Sequence, residues 1–179
     1  MPARFHTERR RAPLRRLLGA LAASLGVGAG MALAAEPADT VIAIARFTVW
    51  PDDVEYGLSF RICLRHDDPA IASFLDRRGT SIQGRPISLH SVKPAQFGEE
   101  PCHAAYFSAG LADRAIIEKI SLRPVLTVSP QKGFAVSGGV VEVADPDADD
   151  RLLVSDATLA RSPLRLRAPL LEVAGRAGE

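Results

Sequence analysis

The sequence is poor in the features that most often announce a function. Its 179 residues hold 22 basic and 21 acidic side chains, a formal net charge of +1, so the basic excess expected of a nucleic-acid binder is missing. Two cysteines are too few for a disulfide framework. No G-x-S-x-G elbow occurs, because Ser137 stands before Gly138-Gly139 but after Ala135-Val136. A Walker loop and a dinucleotide fingerprint are also missing. The acidic stretch Asp145–Asp150 lacks the central glycine and the spaced glutamate of a calcium loop, and reads as a solvated turn. No repeat or low-complexity segment interrupts residues 36–179. What is present is apolar content of 47%, enough for a proper core in one domain.

Charge is distributed unevenly. Residues 1–34 carry six arginines (Arg4, Arg9, Arg10, Arg11, Arg15 and Arg16) and one acid, Glu8. Leu17–Ala34 is uncharged and built from Leu, Ala, Gly, Val, Ser and Met, ending in Ala32-Leu33-Ala34. A basic region, an apolar region and a small-residue ending are the parts of a secretory signal peptide, with cleavage expected after Ala34. The competing reading is an uncleaved anchor; four glycines in the apolar stretch and the Ala-x-Ala ending favour cleavage. No cysteine follows to carry a lipid. The arginine pairs leave the general secretory and twin-arginine routes both open. Removing six arginines and one glutamate from 22 and 21 leaves 16 basic and 20 acidic groups, a net −4 on residues 35–179. Nucleic acid and anionic lipid are poor partners for such a chain, and no membrane insertion is expected once the leader is gone. An exported, periplasmic location is also oxidising, so a disulfide persists there.

Residues 35–179 read as a single α/β domain. Val41–Trp50 has helical spacing and stops at Pro51. Gly57–Leu64 alternates, which places Leu58, Phe60 and Ile62 on one face of a strand. Asp68-Pro69 opens a helix over Pro69–Arg78. Pro86–Val92 is a strand, Lys93–Pro101 a polar loop, His103–Ser108 a strand, and Leu111–Ile120 a helix with Ile116, Ile117 and Ile120 inward. The apolar run Pro124–Val128 suits a strand buried on both faces. Gly133–Val143 continues as an extended piece in which Gly138-Gly139 permits a bulge. Arg151–Ser155 is a last strand, and Asp156–Ala174 is mainly helical, in two pieces with Pro169 in the first turn of the second. Alternation of strands and helices predicts a three-layer domain: a mostly parallel central sheet flanked by helices, with some antiparallel pairing late in the chain.

Three readings of the cysteines stand side by side. An even count in an exported chain favours a Cys63–Cys102 bridge. Cys63, His66, Cys102 and His103 also offer two thiols and two imidazoles, a zinc set in principle. Cys102 beside His103 also resembles a nucleophile and a base, although such pairs usually converge from distant segments. Trp50 is either a core residue or an exposed contact anchor. Arg85 and Arg151 are surface charges that either serve structure or pair with an acidic group on a partner or ligand.

An ordered set of short motifs then accumulates: Phe47-x-x-Trp50-Pro51, Gly84-Arg85-Pro86-Ile87, Cys102-His103, Pro124-Val125-Leu126-Thr127-Val128-Ser129, Gly133-Phe134, Gly138-Gly139, Arg151-Leu152-Leu153-Val154, Leu164-x-Leu166 and Leu170-Leu171-x-x-Ala174. In this order and spacing, over about residues 40–174, the chain resembles the YfiR family of small exported regulators. The resemblance implies a periplasmic α/β domain, not an enzyme and without a cofactor. It further implies that the domain binds and restrains the periplasmic part of an inner-membrane diguanylate cyclase, lowering cyclic-di-GMP and opposing biofilm. Cys63 and Cys102 match one disulfide pair of the family prototype; a second pair, near the segment after Gly138-Gly139, has no counterpart. Ser155, Pro163 and Arg167 stand where the family usually has Asn, Gly and Ser. A homodimer is an open alternative partner, and a periplasmic small-molecule sensor module is the alternative function.

Overall fold

The computed structural model describes residues 36–52, 57–144 and 151–178. The expected leader (1–34) and the turn Asp145–Asp150 lie outside the described residues.

The first helix, α1 (Pro37–Arg46), starts with proline in its first turn, where a missing N–H is least costly. Asp39 near its start and Arg46 near its end complement the helix dipole, and Ala38, Val41, Ile42, Ile44 and Ala45 form its buried stripe. It ends before the predicted Trp50. Thr48–Val49 is a short strand, β1, as two β-branched residues favour, and the Thr48 hydroxyl donates to Ile44 O at 3.1 Å. There follow β2 (Phe60–Arg65), α2 (Ile71–Leu75), β3 (Ser81–Ile82), β4 (Arg85–Val92), β5 (Ala104–Tyr106), α3 (Arg114–Ile120), β6 (Leu126–Ser129), β7 (Val141–Val143), β8 (Leu152–Val154), α4 (Asp156–Leu159), β9 (Arg165–Leu166), α5 (Ala168–Val173) and β10 (Gly175–Arg176).

Among the described residues one sheet has the order β10-β8-β7-β6-β5-β2-β4-β3. Its centre, β4-β2-β5-β6-β7, is parallel throughout. β8 runs antiparallel to β7, and β3 antiparallel to β4. The expected α/β class, with a mostly parallel sheet and late antiparallel pairing, is what the chain forms. A second, two-stranded ribbon pairs β1 with β9, Thr48 opposite Leu166.

Side-chain alternation builds the layers. Ile62 and Leu64 of β2, Ala104 and Tyr106 of β5, and Leu126 and Val128 of β6 join the α1 stripe and Phe74 of α2 in one core. Cys63, Ala105 and Phe107 turn to the opposite face, where they meet Phe97, Phe134 and the Ile116, Ile117 and Ile120 stripe of α3. A sheet with a core on each face is a three-layer domain.

Three local expectations are corrected. Leu58 is 94% exposed, because β2 begins only at Phe60. Of Gly133–Val143, Val141–Val143 alone is extended. Residues 131–139 coil instead, with Phe134 N donating to Gln131 O and Ser137 N to Gly133 O. The cause is Glu142, 5% exposed, whose two carboxylate oxygens accept from the N–H groups of Gly133 and Ala135 at 3.1 Å each. Gly139 serves contact here, since a Cβ at that position would overlap the Phe134 ring. Finally, Asp156–Ala174 is helical only in α4 and α5, separated by β9. Ser155 caps α4 by accepting from Thr158 N at 3.3 Å, and Pro169 lies in the first turn of α5.

Cys63 and Cys102 are bonded to each other and buried. The bond takes both thiols out of the zinc and nucleophile readings, and it joins β2 to the segment entering β5. With its ends 39 positions apart in the sequence, the chain-entropy model gives it about 4 kcal/mol. Cys63→Ser and Cys102→Ser are each expected to lower stability in urea unfolding by about that amount, and the double variant to add little. Additive losses would contradict the bond.

Candidate functional site

A recess of about 270 Å³ opens where the ribbon β1–β9 meets the edge of the sheet. Its lining is Val49, Trp50, Pro51, Asp52, Phe60, Gln83, Arg85, His103 and Arg167.

Its aromatic wall follows from β1 and β2. Trp50 leaves β1 held extended by Pro51, and its indole N–H donates to His103 O at 3.1 Å. Its ring meets Phe60 edge-on, with centroids 5.2 Å apart and planes at 85°. Phe60 in turn stacks on the His103 imidazole, 4.7 Å apart and 25° between planes. The ring geometry is the offset-stacked and T-shaped set that aromatic quadrupoles prefer.

His103 is 1% exposed and faces donors at both ring nitrogens. Arg61 N–H donates to Nδ1 at 3.0 Å, and the Arg85 guanidinium lies 2.9 Å from Nε2. Burial, then the Arg85 charge and then the Arg61 charge, push its pKa down from 6.5 to about 4. The imidazole is therefore neutral at physiological pH. A protonated ring would set an N–H against a donor on both sides.

The cationic wall depends on a tight turn. Gln83 and Gly84 both have positive φ, 51° and 79°, as a two-residue primed turn between β3 and β4 requires. Gln83 is held in that conformation by its side-chain amide, which donates to Ala45 O at 3.2 Å and Thr48 O at 2.7 Å. The turn delivers Arg85, the first residue of β4, against His103. Arg167 comes from the other side: it occupies the cap position of α5 without making a side-chain cap, and its N–H donates to Phe47 O at 2.8 Å, extending the β1–β9 pairing. Two arginines and Asp52 line the recess beside the half-buried Trp50, with the buried Phe60 and His103 rings behind it, and guanidiniums so placed suit a carboxylate or phosphate.

The fold brings together two of the three residues singled out as contacts. Trp50 and Arg85 share the recess, and Trp50 is half-buried, packed on Phe60 and lining the cavity. Arg151 lies apart, exposed before β8. The disulfide lies behind the recess, since Cys63 follows Arg61 by two residues and Cys102 precedes His103. Phe60, Gln83, His103 and Arg167 were not singled out as contacts. Arg167 was visible only as a departure from the family's serine, and His103 only as the neighbour of a cysteine. A wider groove of about 650 Å³ runs between α3, the 136–138 turn and α4. It gathers exposed Leu122 and Val136 with Arg114 and Arg161, but no comparable constellation.

The domain is thus a three-layer α/β module with a recess beside the β1–β9 ribbon. The chain belongs to the YfiR/HmsC-like family, whose sequence pattern it matches over residues 36–175. That family places it among periplasmic regulators of diguanylate cyclase activity. No curated protein matches the chain. Among the described residues, no helix is long and apolar enough to cross a membrane.

His103 sets a pH dependence whose sign follows from its lowered pKa. Above pH 6.5 the ring is neutral in both folded and unfolded chains, and its contribution to stability is fully present. As pH falls from 6.5 toward 4 the unfolded chain takes up the proton first, so stability falls, by on the order of 3 kcal/mol at pH 4. Asp39 and Asp67, held below the usual carboxylate range by Arg77 and Arg65, act below that window. Urea unfolding between pH 7 and 4 is expected to show this decline, and His103→Gln to flatten it. An unchanged slope in the variant would contradict the assignment.

Proposed function

We propose that this chain is an exported protein that binds the periplasmic portion of an inner-membrane diguanylate cyclase and holds the enzyme inactive. The observation that carries the reading is the family match over residues 36–175. Residues 35–179 support it with a net charge of −4, which disfavours nucleic acid and anionic lipid and leaves a protein surface as the better target. The buried disulfide suits an oxidising compartment. In this reading the protein is a regulator and the cyclase does the chemistry. Deleting the gene is expected to raise cellular cyclic-di-GMP, and supplying it in trans to bring the level back. An unchanged level in a strain with an active membrane cyclase would overturn the reading.

A specific feature favours a second role for the same domain, a sensor of a small periplasmic molecule. Trp50, edge-on to the buried Phe60, lines the recess beside Arg85 and Arg167, a pairing of aromatic surface with positive charge that protein docking alone does not require. Nucleotides and amino acids screened by thermal shift are expected to include a planar anion that raises Tm, with the rise lost in Arg85→Gln. A screen without any shift would remove this reading.

A further inference from the structure

Among the described residues, the outer edge of β4 is open over most of its length. β3 covers only its start, with Ile82 opposite Arg85 and Ser81 opposite Pro86, and the last bond on that side runs from Ile87 N–H to Thr80 O at 3.0 Å. On the inner side β4 pairs with β2 from Ile87 to Val92, and His66 N–H donates to Val92 O at 3.0 Å. These two bonds fix the direction of every main-chain group between them. Successive residues of a strand present their N–H and C=O to opposite sides. Ser88, His90 and Val92 therefore address β2, and Leu89 and Ser91 address the outside. The outward N–H and C=O groups of Leu89 and Ser91 have no backbone partner among the described residues.

Such an edge is normally blunted by lysine, proline, an inward charge or a bulge. The open stretch Ser88-Leu89-His90-Ser91-Val92 has none of the first two and keeps an unbroken register with β2. It is bounded at one end by Thr80 on β3 and at the other by Lys93. Beyond water, an extended backbone of about four residues is the partner whose groups match this spacing. Its charge is also unlike the rest of the domain. Ile82–Ala95 contains Arg85 and Lys93 and no acidic residue, in a chain of net −4 beyond the leader. The acid that reaches this strand is Glu100, 3.4 Å from His90 Nδ1.

Resting on the regulator reading above, we propose that the outer edge of β4 is where the cyclase docks. An extended, acidic segment of its periplasmic portion pairs with Leu89 and Ser91 and adds a further strand to the sheet.

Ser91→Pro tests this cleanly. It removes one outward N–H, leaves the bonds to β2 in place, and changes an exposed side chain; Ser91→Ala controls for the hydroxyl. The full chain, wild type or variant, is returned to a strain lacking the gene, and cyclic-di-GMP, exported protein and Tm are measured. Wild type and Ser91→Ala are expected to lower cyclic-di-GMP equally, and Ser91→Pro to lose most of that effect at normal export and Tm. Full activity of Ser91→Pro would overturn edge docking and leave the regulator reading standing. Failure of the wild type to lower the level would overturn both. Amide hydrogen exchange on the purified wild type is independent of whether the proline variant folds. Leu89 and Ser91 are expected to exchange faster than His90 and Val92, and equal protection would overturn the proposal. So would light scattering that finds a wild-type dimer made monomeric by Ser91→Pro, which would assign the edge to a second copy.

Discussion

The junction between β2 and the chain entering β5 holds the rest of the domain in place. His103 N–H donates to Arg61 O at 2.9 Å, and Arg61 N–H returns a bond to the His103 ring. The His103 carbonyl accepts from Leu126 N at 2.9 Å and from the Trp50 indole at 3.1 Å. One residue before His103, Cys102 is bonded to Cys63 of β2. Backbone, ring and sulfur thus meet within a few residues. Through them the centre of the sheet, the α1–β1 turn and the recess share one anchor. A neutral imidazole is a condition of that arrangement, because the ring accepts from a main-chain donor and lies against a guanidinium.

This explains why the outline of the fold was legible in the sequence and the recess was only partly so. Strand and helix periodicity is a local signal. Phe60 and Ile62, the α3 isoleucines and the run Pro124–Val128 each declare their burial within a few residues. The even cysteine count in an exported chain pointed to the right pair. Trp50 and Arg85 stood out because a lone tryptophan and a charged residue after a turn are conspicuous. Gln83, His103 and Arg167 were not, because their roles depend on which segments the sheet makes neighbours, with 20 residues from Gln83 to His103 and a further 64 to Arg167. The misread stretch 131–139 has the same origin. Its glycines suit an extended bulge or a coil equally well, and the choice is made by a carboxylate at Glu142 and a ring at Phe134.

Glu142 also bears on the missing second cysteine pair. Its buried carboxylate binds two main-chain N–H groups of the 131–139 coil, and charge-assisted bonds of that kind are stronger than neutral ones. The coil also packs through Phe134 against Phe107. Neither attachment contains a redox-active group, and the Cys63–Cys102 bond is the disulfide among the described residues.

The recess and the open edge share one strand. Arg85, against His103 at the start of β4, lies four residues before Leu89 and six before Ser91, and β4 is paired to β2 from Ile87 onward. The paired strand, β2, in turn carries Arg61 and Cys63. On the two proposals above, docking at the edge and ligand capture in the recess would act on the same strand. A molecule that grips Arg85 changes docking by the difference in its affinity for the docked and free forms, and docking changes its affinity by the same factor. On those proposals the sensor and regulator readings meet on one strand, and any coupling between them is reciprocal.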